Sequence, residues 1–142
     1  MRRNVIVQIN GDNVSDDGEH QNVSLVTRGV YDHSDGVHTL RYVESDEESG
    51  EEIQTTILVD GDRVFVTDDA SLTQIMFQRG LRFSSVMRDE ADVPVEVGVF
   101  PTRVDVEMNE DSGTLDLSYQ MDLDGTVVGD SSIRLSYYHA DV

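Results

Sequence analysis

Cysteine and lysine are both absent from this 142-residue chain. The first absence excludes disulfides, thiolate metal sites and cysteine nucleophiles, and it fits a reducing compartment. The second excludes a Schiff-base amine, because all ten bases are arginine, which does not give up its proton. Those ten bases stand against 29 acids, for a net charge of −19. A carboxylate excess of that size repels nucleic acid and anionic lipid, so neither is expected as a partner. Long apolar runs are missing too. No window approaches the ~20 apolar residues of a membrane span. The run Val5-Ile6-Val7 follows two arginines but soon meets Gln8 and Asn10, far short of the apolar core of a secretory signal. A cytoplasmic location is expected. No segment carries the periodicity of a long amphipathic helix. The length points to one domain, residues 1–142, large enough to bury a core without staples.

What is present is alternation. Leu115-Asp116-Leu117-Ser118-Tyr119-Gln120-Met121-Asp122-Leu123 switches between apolar and polar without a slip, the pattern of a strand with one dry and one wet face. Similar segments recur at 4–10, 23–31, 37–44, 53–59, 63–67, 81–88, 93–100, 103–108 and 126–138. Residues 71–78 read as strand, although Asp68 and Ser71 could cap a helix there. Arg79-Gly80 would then turn a hairpin into 81–88. The hydrophilic stretch 11–22 and the acidic stretch 45–52 read as exposed loops. Asp60-Gly61 and Asp124-Gly125 suit tight hairpin turns. Pro94 belongs at a strand start, an edge or a bulge, Pro101 should break or bend the chain, and Gly129 marks a kink. The result is roughly nine or ten strands in an antiparallel meander. A sheet that wide curls and closure removes its edges, so an up-and-down barrel is expected, with a two-sheet sandwich as the alternative.

Catalytic and metal motifs are hard to find. His20, His33, His38 and His139 lack the spacing of paired ligands, and a site from His33, His38 and a nearby Asp is a weak reading. The acid-rich turns near Asp12 and Asp122 do not follow an EF-hand loop. There is no nucleophile elbow, phosphate-binding glycine loop or zinc-protease motif, so neither an enzyme nor a cofactor or metal is expected. Ser84-Ser85 has no positioned histidine in sequence, and no carboxylate pair can be singled out from 29. Arg79, Arg82 and Arg88 form the densest basic group. Arg82 and Arg88 alternate with Leu81, Phe83 and Met87. With the apolar set inside, these arginines point outward to surface acids. If Arg82 instead pointed inward it would need a buried partner, for which Glu44 is the candidate.

Several pieces in order resemble the YwiB-like bacterial proteins, a family of unknown function. They are Tyr42-Val43-Glu44-Ser45, then 55–64 from Thr55 to Val64, then Met76-Phe77-Gln78-Arg79-Gly80-Leu81-Arg82, then Val95-Glu96-Val97-Gly98-Val99, and the closing hairpin 113–125. The likeness covers nearly the whole chain. It implies a calycin-type (lipocalin-like) all-β barrel, an antiparallel meander of about eight to ten strands, and no particular activity. This chain departs from the family at 87–94, where a tyrosine and a Thr-Pro-Tyr-Gly turn give way to Met87-Arg88-Asp89-Glu90-Ala91-Asp92-Val93-Pro94. The expectation is non-catalytic binding of a small, partly apolar, amphipathic ligand in or at the mouth of the barrel. Tyr42, Phe77, Phe83 and Tyr119 are its expected lining, with Glu44 and Arg82 as polar handles. The rival is a protein-interaction module using an acidic surface or a strand edge, and a homodimer is the other partner considered.

Overall fold

A computed structural model describes residues 2–45, 50–68, 74–88 and 90–140. Ten antiparallel strands run in chain order: β1 (Arg2–Ser15), β2 (His20–Ser34), β3 (Val37–Ser45), β4 (Glu52–Asp60), β5 (Arg63–Asp68), β6 (Gln74–Phe77), β7 (Phe83–Arg88), β8 (Pro94–Met108), β9 (Ser112–Leu123) and β10 (Thr126–His139). They form one sheet in the order β6-β5-β4-β3-β2-β1-β10-β9-β8-β7, which curls into a nearly closed barrel. The meander expected from the periodicity is there, as a barrel and not a sandwich. No helix among the described residues is long and apolar enough to cross a membrane.

Turn chemistry sets the hairpins. Asp35-Gly36 and Asp124-Gly125 both take positive φ between directly paired strand ends, Ser34↔Val37 and Leu123↔Thr126. That matches the strand twist in a two-residue turn. Pro94 opens β8, where its missing N–H does no harm. Pro101 bends the chain without ending it: the β8–β9 register shifts between Pro101 and Arg103, so the two expected strands are one. The expected kink near Gly129 is a register shift between Val127 and Gly129.

Two expectations are corrected. Residues 11–22 are not a long loop, since β1 continues to Ser15 and β2 begins at His20. Alternation vanishes there because the barrel's inner face is open at that end. Backbone ladders to β2 and β10, with polar pairs such as Ser24 Oγ to Asn10 Oδ1 (3.0 Å), hold the strand instead. The second correction concerns 74–88. Residues 74–77 are a strand as expected, while 71–73 lie outside the described residues, as does the 46–49 part of the acidic stretch. Yet β6 and β7 do not zip into a hairpin. They are the two ends of the sheet, and among the described residues the one backbone bridge between those ends is Gln78↔Leu81. The Gly80 N–H donates to Pro101 O (2.9 Å), pinning the turn to β8 and leaving a seam.

Candidate functional site at the open end of the barrel

Strand parity decides which side chains face the axis. On β1 the inner row is Val5, Val7 and Ile9, at 1%, 0% and 9% exposure. Register carries that row around the wall: Val7 lies opposite Tyr137, Tyr31 opposite Leu40, Leu40 opposite Ile57. One end is therefore solid. Tyr31, Leu40, Val64, Leu115, Leu135 and Tyr137 are all buried. Tyr31 and Tyr137 stack with centroids 5.0 Å apart, and the Tyr137 hydroxyl donates to Asn109 O (2.7 Å). The other end is looser. Inner-row residues Leu25, Ile53, Ile75, Met87 and Met121 are only half-buried, and Val23 is exposed. Apolar side chains that point inward and still meet solvent line a cup.

The expected residues divide around this cup. Tyr42 faces inward on β3, opposite Gly29 and Thr55, and is buried. Glu44, two residues on, shares its face opposite Ile53 at the rim. Phe77 sits in the inner row opposite Val64, with Tyr119 edge-on to it at 5.1 Å. Phe83 lies opposite Val99, half-buried on the same face. Burial pushes the phenols of Tyr42 and Tyr119 up, so both are neutral hydroxyls in the physiological range. Burial, and then the nearby Asp68 carboxylate, raise Glu44 from its ordinary value. A depression of about 260 Å³ at the rim is bounded in part by Asn13, Gln21, Met121 and Ser131. Among the described residues no group of three or more His, Asp or Glu could hold a metal ion.

Arg82 is the exception, and its pairing with Glu44 is corrected. It lies outside the wall with Ser84, Val86 and Arg88, while Glu44 lies inside. Its guanidinium crosses β8 to grip β9: Nε donates to Asp122 Oδ2 (3.1 Å), Nη2 to Asp122 Oδ1 (2.7 Å) and to Glu96 Oε1 (2.9 Å). The outward reading of the arginines is what the structure has. Gly98 supplies the lane, since a Cβ there would overlap both Arg82 Nη2 and the Asp122 carboxylate. Sequence alone could not find this clasp, because it depends on Gly98 lying opposite both Ser84 and Asp122. The Arg82 guanidinium holds the Asp122 carboxyl below its usual value. Gly98→Val is expected to break the clasp and return Asp122 towards the ordinary ~3.9; an NMR titration with Asp122 unmoved would contradict it.

His33, His38 and His139 sit at the packed end, and His20 at the open end opposite Val14. His33 and His38 are cross-strand partners whose rings stack at 4.2 Å, and Tyr31 Oη lies 2.6 Å from His38 Nδ1. Burial, then the neighbouring His33, lower the pKa of His38. The unfolded chain, with His near ~6.5, then takes up the proton first. His38's contribution to stability is complete above about pH 6.5 and declines as the pH falls towards the folded value. Urea midpoints measured from pH 8 downward check this, and His38→Gln should flatten the decline.

The geometry so far defines a ten-stranded antiparallel barrel with one filled and one open end. The profile of the domain of unknown function DUF1934 matches residues 7–135, and the chain belongs to that family. It is similar to the crystal structure of the ywiB protein from Bacillus subtilis, with a TM-score of 0.83 at 16% identity, covering 99% of this chain and 94% of that one. That likeness shows the fold. Comparison with curated proteins gives no match.

Proposed function

We propose that this protein binds a small, partly apolar ligand without catalysis, at the open end of its barrel. The observation that carries the reading is the contrast between the two ends: inward apolar side chains are sealed around Tyr31 and Leu40 but half-exposed around Leu25, Ile53 and Met121. Water against such a surface is unfavourable by about 25 cal/mol per Å², and an apolar body seated there would displace it. Tyr119 and Phe83 supply aromatic faces, and Glu44 at the rim offers oxygens to a polar head that donates hydrogen bonds. Ligand sites commonly combine an apolar lining with a few placed polar groups in this way.

The test is native mass spectrometry of protein purified from its host, followed by thermal shift with the compound identified. A ligand at about a hundred times its Kd adds about 2.7 kcal/mol of stability. Leu25→Trp, which fills the cup from β2, should abolish both the bound mass and the thermal shift. A protein that carries no small molecule, or a Leu25→Trp variant that binds as well as wild type, overturns the reading.

A further inference from the structure

We infer that the outer face of β1 to β4, together with the end of β10, docks a second copy of this chain. The inference goes beyond the cup, because it concerns the opposite side of the wall. Register aligns the outward residues: Ile6 lies beside Arg28 and Tyr138, Val30 beside Arg41, and Arg41 beside Thr56. Across the middle of this face the described residues carry no carboxylate. The acids stand at its ends, as with Asp32, Glu52 and Asp60. In a chain with 29 acids and a net charge of −19, that is a marked exclusion.

Three properties suit this face to self-association. Two copies of so acidic a chain repel each other, so contact is least opposed where carboxylates are missing. The face is also apolar for an outer wall: Val26 is 65% exposed and Tyr138 51%, with half-buried Ile6, Val30 and Val43 between and beside them. And it carries both a projection and a depression. Val26 stands out, while a groove of about 590 Å³ runs between Ile6, Arg28 and Tyr138. A two-fold contact needs a self-complementary patch of that kind. The guanidinium groups of Arg28 and Arg41 make no ion pair or side-chain hydrogen bond with any described residue, which leaves them for the carboxylates that flank the same face on the other copy.

Sedimentation velocity over a micromolar concentration range tests this. Wild type should sediment as a dimer. Val26→Asp puts a carboxylate in the middle of the face and should weaken the dimer at least tenfold, about 1.4 kcal/mol. Val86→Asp is the matched control, because Val86 is 67% exposed on the outside of β7, away from this face. That variant should dimerise as wild type does, and circular dichroism would confirm that both variants fold. A wild type that stays monomeric throughout overturns the inference and returns the face to a different, acidic partner. Equal weakening by both substitutions overturns it as well.

Discussion

Tyr137→Ala should lower the unfolding free energy by about 3–5 kcal/mol, the range for removing a large buried ring. Three surfaces lose their contact at once. Tyr31 loses its stacking partner, Gly113 loses the ring that covers its bare backbone, and Asn109 O loses its donor. The ring lies so close to Gly113 that a Cβ there would stand 2.5 Å from Cε1. A smaller aliphatic side chain cannot fill that shape. Tyr137→Phe keeps the packing and removes only the hydroxyl, so it should lose about 1 kcal/mol, close to the value of one hydrogen bond. Guanidinium unfolding of both variants separates the ring from its hydroxyl. A Tyr137→Phe loss as large as that of Tyr137→Ala would mean the hydrogen bond, not the stack, holds this end.

Gly29→Ala should be the next most damaging change, by about 1–3 kcal/mol or more, as overpacking usually is. The glycine lies in the inner row between Val5 and Tyr42. An added Cβ would stand 2.6 Å from the Arg41 carbonyl and 2.9 Å from Val7 Cγ2. The first of these is backbone, which cannot step aside without disturbing the β2–β3 ladder. Adding Val7→Ala to Gly29→Ala relieves one clash and leaves the other, so the double variant should recover only part of the loss. Full recovery would show that the carbonyl yields easily and that the ladder is softer there than its geometry suggests.

Much of the architecture was legible in the residues, and the reason is local. A strand with one dry and one wet face announces itself, as 115–123 does, and Asp-Gly pairs announce the turns. The stretch 11–22 was not legible because both of its faces meet water, so polarity there reports the open cup and not a loop. Inner-face membership of Tyr42, Glu44, Phe77, Phe83 and Tyr119 follows from parity, which is a property of each strand alone. The Arg82 clasp depends on register across three strands, and register is not written in any one of them. The same holds for the carboxylate-free outer face. Its members are scattered from Asn4 to Tyr138 and become neighbours only when the ladders align.

The seam between β6 and β7 divides the sheet into two hairpin arrays, β1 to β6 and β7 to β10. Every ladder within either array joins strands that follow one another in the chain. Among the described residues only the β1–β10 ladder, with Ile9 beside Leu135, pairs strands remote in the chain. Loop-closure entropy makes neighbouring pairings the cheap ones and this last pairing the slow one. The β1–β10 ladder is therefore what turns an open ribbon into a vessel.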